Sequence, residues 1–115
     1  MKKSFIVGLF FLIAGLSINA QQQNFSLVNG TEFVISYVYL SPSETDTWGE
    51  DILTVDVLGA SEQCDVSFEG HDQCYWDLKA VAADGSEAVW SGLDLCEAYV
   101  ITLMMTADGP VATIE

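Results

Sequence analysis

The sequence predicts an all-β domain, a two-sheet antiparallel β-sandwich of seven or eight short strands. Three observations carry that reading. Short runs rich in Val, Ile, Tyr, Phe, Trp and Thr recur along residues 21–115, each closed by Gly, Pro, Asn, Asp or Ser. No window in that stretch combines a helical period with end caps; residues 80–83 are too few and run straight into Asp84-Gly85. The chain is also 50% hydrophobic, with three Trp and four Tyr, so it can bury a core despite its charge.

Residues 1–20 read as an export signal that precedes the domain. Lys2-Lys3 is a short positive region, residues 5–18 are an apolar run, and Ala20 supplies a small residue at a cleavage position before the polar Gln21-Gln22-Gln23. The run is short of the roughly 20 apolar residues that span a bilayer, and no second run of that length follows. Cleavage there leaves a single acidic β-sandwich domain, residues 21–115, in the periplasm or outside the cell. The mature chain is expected to have no transmembrane segment.

The strand candidates follow in order. Residues 25–28 lead into Asn29-Gly30-Thr31, which reads most simply as a turn, and also as a glycosylation sequon that matters only in a glycosylating host. Residues 33–40 are apolar on both faces apart from Ser36, as in a central strand or one packed against a partner. After a long connection come 52–58 and 64–68. In 74–82 the alternation is explicit: Trp76, Leu78 and Ala80 share one face, the core side, and Asp77 and Lys79 share the other. Asp84-Gly85 is a two-residue hairpin signal leading to 88–90. Residues 99–106 and 111–114 flank Asp108-Gly109-Pro110, with Pro110 suited to the start of an edge strand.

An exported chain keeps disulfides, and Cys64, Cys74 and Cys96 allow one bridge with one thiol left over. A type I′ turn at Asp84-Gly85 pairs Ala83 with Ser86. Carried back along the hairpin, that register sets Cys74 opposite Leu95 and Cys96 opposite Gln73, near neighbours at its open end. Cys74–Cys96 is the favoured bridge, and Cys64–Cys74, across the connection after residue 68, competes with it. The leftover thiol is expected to be buried and inert, since no cationic neighbour lowers its pKa.

The formal charge is −14, from 17 acidic residues against three lysines and no arginine. Lys2 and Lys3 belong to the export signal, so Lys79 is the only Lys or Arg of the domain. Nucleic-acid binding needs Lys and Arg to displace counterions from phosphates, and is excluded as a function class. Docking on anionic membranes is disfavoured for the same reason.

Carboxylates are the one chemical resource in quantity. Residues 41–51 hold four acids, Trp48 and a glycine. Hard oxygen donors of this type suit Ca²⁺, and Asp46, Glu50 and Asp51 are its candidate ligands, although their spacing does not match the EF-hand loop. A solvated acidic loop is the plainer reading. As a glycosidase pair these acids have little cleft to serve in so small a sandwich. Trp48 either folds back to anchor its loop or stands out as a binding-loop aromatic. His71, the only histidine, has no nucleophile motif around it and reads as a polar loop residue. A Cys₃His zinc shell is disfavoured because oxidation competes for the thiols.

The ordered set 25–31, Ser41-Pro42-Ser43, Trp48 to Leu53, Cys74 to Lys79, Asp84-Gly85 and Leu93 to Cys96 resembles a group of small exported bacterial domains of uncharacterised function. Similar sequences sometimes carry an automatic label of argininosuccinate lyase, a large helical enzyme that this chain could not form. The resemblance implies a stand-alone β-sandwich and the Cys74–Cys96 pairing; it carries over no catalytic residue. Cys64 lies outside its pattern, as a leftover thiol would. The expectation is a non-enzymatic secreted or periplasmic binding module for a protein or surface ligand, modulated by Ca²⁺ or another divalent cation through residues 41–51, with no other cofactor. The alternatives are a self-associating cell-surface subunit, opposed by its like charges, and a small hydrolase.

Overall fold

A computed structural model describes residues 22–70 and 73–115; the expected export signal and His71 lie outside the described residues. Seven strands form among them: β1 (Gln22–Asn29), β2 (Ile35–Pro42), β3 (Gln63–Glu69), β4 (Tyr75–Ala82), β5 (Glu87–Asp94), β6 (Val100–Thr106) and β7 (Gly109–Ile114). They make two sheets, one of four strands in the order β3-β1-β6-β7 and one of three in the order β2-β4-β5. The all-β sandwich expected from the sequence is the observed architecture.

Period-two alternation builds the core between the sheets. Trp76, Leu78 and Ala80 of β4 point inward with Val38 and Leu40 of β2 and Trp90 and Leu93 of β5. From the other sheet Phe25, Leu27, Val66, Ile101 and Leu103 meet them. Phe68 packs edge-on against both Phe25 and Trp76, with centroids 6.0 and 5.1 Å away, which joins the sheets through one aromatic cluster. A second tie is polar. The indole of Trp90 donates across the sandwich to the carbonyls of Met104, at 3.3 Å, and Val111, at 3.0 Å.

Three local expectations are corrected. Residues 52–58 are not a strand: only a single bridge, Leu58 with Ile35, is regular. The segment still covers the edge of β2, since Gly49 N donates to Leu40 O, Ile52 N to Val38 O, and Leu58 and Ile35 bond each other both ways. The Asp51 carboxylate takes the Val38 N–H at 2.9 Å, and a side chain in that place interrupts a backbone ladder. The sandwich is also not wholly antiparallel. β1 and β6 run parallel, with Ser26 level with Val100, because the chain crosses back from β5 and enters the first sheet alongside β1.

The third correction is to the β4–β5 hairpin. Its loop holds three residues, with Gly85 N bonded to Ala82 O and Ala82 N to Ser86 O. Gly85 takes φ +92°, which glycine adopts without steric cost. The pairing therefore runs Val81 with Glu87 and Lys79 with Val89, one residue away from the type I′ register. A bulge between Trp76 and Leu78 then adds one residue on β5, with Gly92 at φ +67°. Beyond it Trp76 faces Leu93, and Leu95 N donates to Cys74 O at 2.8 Å. The two departures offset each other, so the cysteines meet as expected.

Candidate functional site

The outward face of the three-stranded sheet carries the chain's most distinctive surface. Register lays two rows across it: Tyr37, Val81 and Glu87, then Tyr39, Lys79 and Val89. Tyr37 is 49% exposed and Val89 39% exposed. The rings of Tyr37 and Tyr39 lie nearly parallel, 15° apart with centroids at 6.3 Å. Side chains two apart on a strand share a face, which is why two tyrosines at this spacing stand together. These positions are the outward half of the stretch whose two apolar faces stood out in the sequence.

Trp48 belongs to the same surface. The loop after β2 turns back through Glu44 at φ +72° and Asp46 at φ +55°, and this lays the half-buried Trp48 against the sheet. Its indole N–H donates to Asp46 Oδ1 at 2.9 Å. Lys79 Nζ lies 4.8 Å from the Trp48 ring centroid and 5.6 Å from that of Tyr39. Among the described residues Lys79 makes no ion pair. The ammonium is held by two aromatic faces, in a chain rich in carboxylates. Both readings of Trp48 thus meet: it anchors its loop, and it forms part of an aromatic surface. Tyr37, Tyr39 and Lys79 are the members of this group that sequence reasoning assigned no role; the signals were a strand apolar on both faces for the tyrosines, and for Lys79 that it is the domain's single Lys or Arg.

The candidate calcium ligands are not brought together. Asp46 is engaged with the Trp48 indole, and Asp51 Oδ1 accepts from Val38 N and Leu53 N at 2.9 and 3.1 Å. Glu50 is exposed beside an open apolar groove of about 460 Å³ floored by Leu40, Ile52, Phe68 and Trp76. Among the described residues only Cys74, Asp94 and Cys96 gather three potential ligand atoms within 4.8 Å. Two of those are the joined sulfurs of a disulfide.

That disulfide is Cys74–Cys96, with a Cα–Cα distance of 5.0 Å. It closes the open end of the β4–β5 hairpin, and Asp94 Oδ1 accepts from Cys96 N beside it. Cys64 is a buried free thiol, as expected. Asn29 is fully buried at the end of β1 and donates Nδ2 to Phe33 O and Leu58 O. The sequon asparagine is thus a turn-forming side chain inside the fold. At the far hairpin Asp84 accepts from the Ser86 hydroxyl and from Ser86 N, and these bonds hold its carboxyl below the usual carboxylate value. A small pocket of about 180 Å³ between Phe33, Ala80, Ala88 and Met105 is below the roughly 300 Å³ at which drug-sized ligand sites begin.

No protein-family model and no curated protein matches the chain. A solved NMR structure of a protein from Eubacterium rectale is similar, with a TM-score of 0.54 and 16% identity over 82% of this chain and 88% of that one. At that identity the likeness shows the fold alone. Among the described residues no helix is long and apolar enough to cross a membrane.

Proposed function

We propose that the chain is an exported, non-enzymatic binding module whose contact surface is the outward face of β2, β4 and β5. One observation carries the reading. Tyr37, Tyr39, Trp48, Val81 and Val89 form a contiguous aromatic and aliphatic face on a chain of formal charge −14. Scattered exposed apolar residues need no explanation, but a contiguous aromatic face rimmed by polar groups is the usual mark of an interaction site. The Cys74–Cys96 disulfide supports export, because such bonds persist in oxidising compartments. In this reading Asp46 and Asp51 hold Trp48 and the loop in place, and Ca²⁺ acts through general screening.

The test is amide chemical-shift mapping of the ¹⁵N-labelled protein against three probes: a basic peptide, a neutral oligosaccharide and an acidic peptide. Saturable shifts centred on Tyr37, Tyr39, Lys79 and Val89 with one of them support the reading. Shifts centred on the opposite sheet or the disulfide end, or none with any probe, overturn it.

A further inference from the structure

The way Lys79 is held bears on what this face takes. In a chain with 17 acids a lysine has ion pairing open to it, yet among the described residues its ammonium sits on the rings of Trp48 and Tyr39 and pairs with no acid. Those rings are therefore arranged as a cation seat, already filled by a cation from the same chain. Asp46 sharpens the seat: a carboxylate accepting the indole N–H pushes electron density into the ring and makes its face more negative. Tyr37, stacked on Tyr39 and about half exposed, extends the aromatic surface beyond the reach of Lys79. Glu87 closes the Tyr37 row with a carboxylate.

We infer that this face binds a basic polypeptide segment, whose arginine or lysine side chains seat on the rings of Tyr37, Tyr39 and Trp48 while the surrounding carboxylates draw it in. The inference rests on the reading of this face as the contact surface. Charge selects the occupant. The domain presents Lys79 as its only Lys or Arg against 17 acids, so polyanions are repelled and a second copy of the chain is opposed by like charge. Arginine satisfies both features at once, stacking its guanidinium on an aromatic face and bonding a carboxylate at its edge. Lys79 competes with such a guest for the Trp48 and Tyr39 rings.

That competition makes the test directional. Calorimetric titration uses a synthetic peptide of alternating Arg and Ser at about 0.15 M salt, where exposed charges more than roughly 8 Å apart are largely screened. The expected result is saturable binding that weakens about tenfold or more in a Tyr37→Ser/Tyr39→Ser variant, as loss of cation–π contacts requires. It should be unchanged in Tyr99→Ser, which removes an 80% exposed tyrosine next to the outward face of the other sheet. Lys79→Gln should strengthen binding severalfold, because it empties the seat and removes a like charge. Near-unchanged amide spectra away from each substitution establish that the variants are folded. No binding, equal weakening in all variants, or weaker binding in Lys79→Gln overturns the inference. Binding of a neutral β-linked glucan oligomer in place of the peptide, lost in the double-tyrosine variant, also overturns it but leaves the face as the contact surface.

Discussion

Replacing Asn29 should test the fold at its most committed polar side chain. Its amide is fully buried and makes four hydrogen bonds: Nδ2 donates to Phe33 O at 2.7 Å and Leu58 O at 2.9 Å, and Oδ1 accepts from Thr31 N at 2.9 Å and Thr31 Oγ1 at 2.5 Å. Truncation does not strand all four partners. Leu58 O keeps the Ile35 N–H, and Phe33 O keeps the Thr31 hydroxyl at 3.3 Å. Thr31 N, on a buried residue, is left with nothing. One orphaned donor costs about 1–3 kcal/mol and the lost bonds and the void add to it, so Asn29→Ala should destabilise by about 3 kcal/mol. Asn29→Asp keeps the acceptor but aims a second oxygen at two carbonyls, so burial and these neighbours raise its pKa. A carboxyl whose folded pKa lies above the unfolded value is stabilising to protonate. The penalty is smallest below about pH 4 and grows by up to roughly 1.4 kcal/mol per pH unit until the folded pKa is passed. Urea unfolding of both variants between acid and neutral pH measures this. An Asn29→Ala loss under about 1 kcal/mol, or an Asn29→Asp penalty that does not change with pH, would mean that the buried amide does not carry these bonds as described.

Four further outcomes are expected. Removing the Cys74–Cys96 bridge, which spans 22 residues, should cost roughly 3 kcal/mol in denaturant unfolding through regained unfolded-chain entropy; a loss below about 1 kcal/mol would contradict that account. Trp90→Phe keeps most of the packing but deletes the donor shared by Met104 O and Val111 O, so a loss of about 1–2 kcal/mol is expected by the same measurement. Ser86→Ala should return the Asp84 pKa toward its ordinary value in a carboxyl-carbon NMR titration. Because the folded pKa is depressed, the stabilisation Asp84 provides is present above its unfolded pKa and fades as pH falls through the folded one. Millimolar Ca²⁺ should raise the melting midpoint no more than Mg²⁺ at equal ionic strength, and sodium chloride should raise it too, since all three screen the same repulsion. A rise specific to Ca²⁺ would restore Asp46, Glu50 and Asp51 as ligands.

Much of the fold was legible because β structure writes its faces into the sequence with period two. Trp76, Leu78 and Ala80 against Asp77 and Lys79 gave both the inward side of β4 and its outward one. What stayed hidden depends on non-local geometry. Residues 52–58 have strand composition, but the Asp51 side chain and an irregular path complete the β2 edge in place of a ladder. The parallel β1–β6 pair depends on how the chain crosses between sheets, which no local pattern records. The cysteine pairing survived two register departures because the longer turn and the bulge at Gly92 shift in opposite senses. At the site, Trp48 was visible as a composition anomaly, but its meeting with Tyr39 and Lys79 required the strand register.

The same geometry gives the acidic composition a structural meaning. Asp51 takes the N–H groups of Val38 and Leu53, Asp77 that of Gly92, Asp84 that of Ser86, Asp94 that of Cys96, and Glu62 that of Gly59. Each sits where a turn, a bulge or an irregular edge leaves an amide outside the sheet ladders, and an ionised carboxylate is a strong acceptor for it. Backbone amides therefore do at these carboxylates what lysines and arginines do in a more balanced protein, and they do it without supplying positive charge. The loops are fastened while the electrostatic field stays negative and open to an external cation. On that argument the scarcity of basic residues and the aromatic seat at Lys79 belong together: five carboxylates are satisfied locally by backbone amides, and Lys79, which none of them needs, is left to the rings of Trp48 and Tyr39, the face proposed as the contact surface.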